Sequence, residues 1–83
     1  MNYVKIYVRA VCEFSSDGGI KPLNIEWVDG RKFAIDRVKF VERKPCLSGG
    51  VLPRRYTVIM GGQQKYLYYE KEKERWFVEK EFL

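Results

Sequence analysis

Residues 3–14, "YVKIYVRAVCEF", set the reading of the whole chain. Val4, Ile6, Val8, Ala10, Cys12 and Phe14 recur at every second position, the period at which an extended backbone returns side chains to one face. Tyr3, Lys5, Tyr7 and Arg9 occupy the opposite face. At roughly 3.3 Å per residue the stretch would run far across a small domain, so a bend or bulge is expected near Ala10.

The same period continues downstream. "SSDGG" (15–19) is a turn with two glycines able to take positive φ. "PLNIEWV" (22–28) aligns Leu23, Ile25 and Trp27, and the following Asp29-Gly30 is a two-residue hairpin signal of the type I′ kind. In "RKFAIDRVKFVER" (31–43), Phe33 and Ile35 share one parity and Val38 and Phe40 the other. Keeping all four inside requires a register change, expected as a bulge at Asp36-Arg37. "KPCLSGGVLP" (44–53) reads as the longest loop. "RRYTVIM" (54–60) aligns Tyr56, Val58 and Met60, and "GGQ" (61–63) makes a tight turn. "QKYLYYE" (64–70) sets Leu67 and Tyr69 against Tyr66 and Tyr68, "KEKE" (71–74) is a charged turn, and "RWFVEKEF" (75–82) alternates Trp76 and Val78 with Phe77 and Glu79.

No segment carries helical apolar spacing behind a capping residue. Five to six short strands joined by hairpins predict an all-β fold: a single domain over residues 1–83, an antiparallel meander curled into a partly open barrel. Curling hides the edges that a small open sheet exposes. The short connections favour an SH3-like barrel over an OB-like one.

At 83 residues, 46% apolar and 33% charged, the chain has material for one core. Lys5 and Arg9 interrupt the apolar start, and no run approaches the roughly 20 apolar residues that span a bilayer. A soluble cytoplasmic protein with reduced cysteines and no membrane contact is expected. Cys12 continues the apolar face of the first strand, whereas Cys46 lies in the long loop, where it is a candidate exposed thiol. With no histidine in the chain, Ser-His-Asp, Cys-His and histidine-based metal sites are excluded, and two cysteines are too few for the usual structural zinc site. No catalytic residue, metal or cofactor is expected, and the chain reads as a non-enzyme.

The net charge is +5, and it is concentrated. Arg31, Lys32, Arg37, Lys39, Arg43, Lys44, Arg54 and Arg55 face only Asp36 and Glu42 between residues 31 and 55, a local net of +6 that leaves −1 for the rest. Such a patch attracts polyanions, so these eight are the candidate nucleic-acid contacts, reading DNA or RNA with little sequence specificity. Backbone amides near Gly49 and Gly50, followed by Arg54 and Arg55, form a candidate anion concavity, without the pattern of a nucleotide P-loop. Tyr3, Tyr7, Tyr66 and Tyr68 are candidate base-stacking residues, although tyrosine is also a favoured strand residue. The alternative is a protein-interaction or assembly domain using a barrel edge or the Tyr66/Tyr68 face. Trp27 and Trp76 are expected in the core, Asp29 in its turn, and Asp36 in an ion pair with Arg37 or at the bulge.

At "EWVDGRKFAIDRV", "RYTVIMGGQQKYLYYE" and "RWFVE" the sequence resembles an uncharacterised bacterial family of small all-β proteins. The similarity runs from about Val4 to Glu79 and is most specific in W-x-D-G-R-x-F-x-I-D-R-V, Trp27 to Val38. It implies a small β fold in the bacterial cytoplasm, and it carries no established activity and no catalytic or binding residues.

Overall fold

The computed structural model describes residues 2–82, in which the alternating segments form seven strands: β1 (Asn2–Phe14), β2 (Ile20–Glu26), β3 (Lys32–Ala34), β4 (Arg37–Arg43), β5 (Arg54–Met60), β6 (Gln63–Glu70) and β7 (Arg75–Phe82). All pairings are antiparallel. No α-helix occurs among the described residues, and so none is long and apolar enough to cross a membrane. The count is seven rather than five to six because "RKFAIDRVKFVER" breaks at Ile35-Asp36 into β3 and β4.

The sheet order is β3-β2-β1-β7-β6-β5-β4. Every sequence neighbour pairs except β3 with β4, and the first and last strands join instead. The meander is therefore curled into a half-barrel whose seam lies at Ile35-Asp36. Its two residues are each tied to their own side: Ile35 N–H donates to Leu23 O on the β2 side at 3.0 Å, and Asp36 N–H to Ile59 O on β5 at 2.8 Å. Long β1 serves both walls, its first half pairing β7 and its second half β2.

Irregularities fall where the apolar pattern demands them, though not always at the expected residue. The register shifts at Val11/Cys12 near the anticipated bend, and the extra residue is Leu23 on β2. Leu23 is consequently exposed, and Pro22 is buried in the place its parity suggested. In β4 the bulge lies between Val38 and Phe40 rather than at Asp36-Arg37. Val38 and Val41 oppose Val58 and Tyr56, while Phe40 opposes Thr57 on the other face and is half exposed. Asp36 accepts the Gly61 N–H at 3.1 Å and so serves the neighbouring turn instead of pairing with Arg37.

The turns differ in the same instructive way. Trp27 N–H donates to Arg31 O and Gly30 N–H to Trp27 O, with Gly30 at φ +91°. This is a three-residue turn ending in a glycine bulge, not a two-residue type I′ turn. The two-residue geometry appears at Gly61-Gly62, φ +57° and +77°, directly between the paired Met60 and Gln63.

Both faces of the sheet are covered. On the inner face Ile25, Tyr56, Val58, Leu67, Tyr69 and Trp76 form the core, with Val8, Ala10, Cys12, Ile35, Val38 and Val78 against it. The ends of β1 run past this core, leaving Val4 and Phe14 exposed. On the outer face Phe77 is fully buried between Tyr68, stacked at 5.1 Å, and Tyr7, edge-on at 5.6 Å. The long loop supplies the lid: Cys46 and Val51 pack on Tyr68 and Phe77. Cys46 is buried, contrary to its expectation as an exposed thiol, because the loop folds back over the sheet.

Candidate binding site

Glu79 fastens the long loop to β7. Its carboxylate accepts the Leu47 N–H at 3.1 Å and the Ser48 N–H at 2.5 Å, and Lys5 donates to Gly49 O from the adjacent strand. The amides that hold this carboxylate are those of Leu47 and Ser48, not the expected Gly49-Gly50 pair, and the Gly49 N–H donates to Cys46 O instead. Burial works to raise the Glu79 pKa, yet these amides, the Ser48 side chain and the Tyr68 hydroxyl hold it below the usual carboxylate range. Burial and the same carboxylate push Tyr68 up to about 12.

Just beyond this anchor the sheet opens. β5 and β6 pair over Arg54–Met60, and β1 and β7 over Asn2–Val8, but β6 and β7 pair only at Tyr68–Phe77, Tyr69–Trp76 and Glu70–Arg75. Continuing that register would set Leu67 against Val78, Tyr66 against Glu79 and Lys65 against Lys80. The last is a directly opposed like-charge pair, which disfavours closure. Each strand keeps its partner on the far side, β5 for β6 and β1 for β7, so both remain extended where they part. Between them lies a cavity of about 550 Å³.

The cavity has an apolar floor of Ile25, Val58, Leu67 and Val78. Lys65 and Lys80 stand on the two parted strands, and Arg31 reaches the cavity from the β2–β3 turn beside Trp27 and Phe33. Arg31 is positioned: its Nε donates to Asp29 at 2.6 Å and its guanidinium lies over Phe33 at 5.6 Å. Asp29 is held ionised below its ordinary range by the Arg31 backbone N–H and guanidinium. Two strand edges, an apolar floor and three cations can receive an extended chain.

The remaining sequence candidates are distributed by strand alternation. Arg43 opposes Arg54 on the inner-face parity of Tyr56, whereas Arg37 and Arg55 take the outer-face parity of Ile59 and Thr57. Arg55 binds Glu42 at 3.0 Å, Lys44 reaches the same carboxylate at 4.0 Å, and Lys39 donates to Gln64. Lys32 pairs in register with Glu26. Of the candidate stacking residues, Tyr68 is buried under the loop, and Tyr3 donates to Glu81 at 3.2 Å. Tyr7 and Tyr66 are partly exposed, each with a guanidinium over its ring: Arg75 at 4.0 Å and Arg55 at 4.2 Å. Trp76 is a core residue as expected, while Trp27 lines the cavity.

Lys65, Lys80, Leu67 and Val78 were not among the sequence candidates. Their signal was nevertheless present: once "KEKE" is a turn, counting outward from Glu70 and Arg75 brings Lys65 opposite Lys80.

Fold and site together define a small antiparallel half-barrel with a parted pair of strands. No family model, curated protein or solved structure matches the chain.

Proposed function

We propose that the chain is a non-enzymatic binding module that docks a segment of a protein partner in the gap between β6 and β7. The observation that carries this reading is the parting of two strands that remain extended, which leaves facing, unpaired backbone edges above an apolar floor. An unpaired edge is a template for a further strand: main-chain hydrogen bonds supply affinity and side-chain pockets supply selectivity. The other open edges suit this role less. β3 has three residues, and β4 carries Arg37, Lys39 and Arg43, charges of the kind that discourage strand addition.

Selection of a displayed random-peptide library, followed by amide chemical-shift mapping of an enriched peptide, tests the reading. The expected result is binding at about 0.15 M salt that shifts residues 64–67 and 78–81. Enriched peptides that map elsewhere on the sheet, or no enrichment, would overturn it.

A second reading, nucleic-acid binding with low sequence specificity, is favoured by one observation. Arg43 and Arg54 are direct cross-strand partners, and neither forms an ion pair among the described residues. Titration of single- and double-stranded oligonucleotides at low and moderate salt separates the two, since phosphate binding weakens steeply with salt.

A further inference from the structure

The cations around the gap specify more than a strand. Residues 65, 67, 78 and 80 share the inner-face parity, so an inserted segment would turn alternate side chains toward them. At the level of Leu67 and Val78 that side chain meets apolar surface. One step outward, at the level of Lys65 and Lys80, it meets two ammonium groups, with Arg31 on the facing wall of the same cavity. The carboxylate in the lining, Glu79, has the opposite parity and is already engaged by the loop amides. An apolar side chain and a carboxylate two residues apart therefore match the floor and rim.

We infer that the preferred partner is an extended peptide with an apolar residue and an aspartate or glutamate two residues apart, its carboxylate held by Lys65, Lys80 and Arg31. This rests on the reading of the gap as a strand-docking site and adds the chemistry of what docks. The segment lies antiparallel to one of the flanking strands and parallel to the other, because β6 and β7 run in opposite directions. The acidic side chain would lie between the two ammonium groups and form a charge-assisted contact with each.

The test uses the capped peptide Thr-Val-Thr-Glu-Thr-Val-Thr, which turns Val, Glu and Val to one face. Its counterpart carries Gln in place of Glu, and an oligothymidylate serves as a non-peptide anion. Each is titrated to about 1 mM into isotopically labelled protein and into the Lys65→Ala/Lys80→Ala variant, whose fold is checked by its thermal midpoint. The inference expects the Glu peptide to shift residues 64–67 and 78–81, with affinity at least about tenfold weaker for the Gln peptide and for the variant. If the Glu and Gln peptides bind the gap equally, the acidic preference is overturned while strand docking stands. If neither peptide shifts the gap, strand docking itself fails. If only the oligothymidylate does, the occupant is a nucleic acid.

Discussion

Truncating Phe77 to alanine tests whether the outer face is a second core or only a decorated surface. The ring is fully buried, stacked on Tyr68, edge-on to Tyr7, with the Lys5 ammonium 5.6 Å from its centroid and Cys46 in the lid above. Removing it forfeits about 1.5–3 kcal/mol of transfer free energy. Loss of two aromatic contacts adds about 0.5–1.5 kcal/mol each. The sum agrees with the roughly 3–5 kcal/mol seen for buried phenylalanine truncations. A domain of this length holds about 4–12 kcal/mol in total, so the variant is expected to sit near the edge of folding. Urea unfolding followed by tryptophan fluorescence reads this directly: with a slope of about 1–3 kcal/mol/M, the midpoint drops by at least about 1 M. Phe77→Leu keeps most of the apolar volume and is expected to lose less than half as much. A loss below about 1 kcal/mol for Phe77→Ala would refute the reasoning, since it would mean that the loop does not seal the outer face.

Other consequences follow from single groups. Thr57 is fully buried and its hydroxyl has no hydrogen-bond partner among the described residues, so the isosteric Thr57→Val is expected to raise stability by about 1 kcal/mol or more; a lower urea midpoint would contradict this. The folded-state pKa of Glu79 lies below its unfolded value, so its contribution is present above the unfolded pKa and lost as pH falls through the folded one. The stability difference between wild type and Glu79→Gln should therefore narrow on acidification, and a pH-independent difference would count against the loop anchor. Tyr68, raised to about 12, favours the fold in its neutral form, so stability declines as pH rises from about 10 toward 12. Tyr3, Tyr56 and Tyr69 are raised as well, so an absorbance titration at the phenolate band should show several late tyrosines, the component near 12 being the one lost in Tyr68→Phe.

The parts legible in sequence were those governed by period two and local turn chemistry. The β1 face, the strand pairs around "GG" and "KEKE", and the single curled sheet all follow from positions of apolar residues and glycines. The strand count was missed because the chain leaves one edge of the sheet for the other at Ile35-Asp36, and the Phe40 face because a bulge two residues along reverses every side chain after it. Burial of Tyr68 and Phe77 was half visible: "YLYY" and "WFV" are apolar on both parities, the mark of strands covered on two sides. What covers them is a loop, and loop placement depends on contacts distant in sequence, such as Glu79 with Leu47 and Ser48. The gap was hidden for a further reason: a local reading pairs β6 with β7 throughout, whereas their pairing ends at Tyr68–Phe77.

Native-state amide hydrogen exchange of the free protein tests the parted strands most directly. Tyr68, Tyr69, Trp76 and Phe77 are paired on both sides, so their amides should be protected together. Along residues 64–67 and 78–81, alternate amides point into the gap and should exchange at near-loop rates, while those facing β5 or β1 stay protected. Uniform protection across both stretches, equal to that of the paired segment, would show the strands zipped together and leave no edge for a partner.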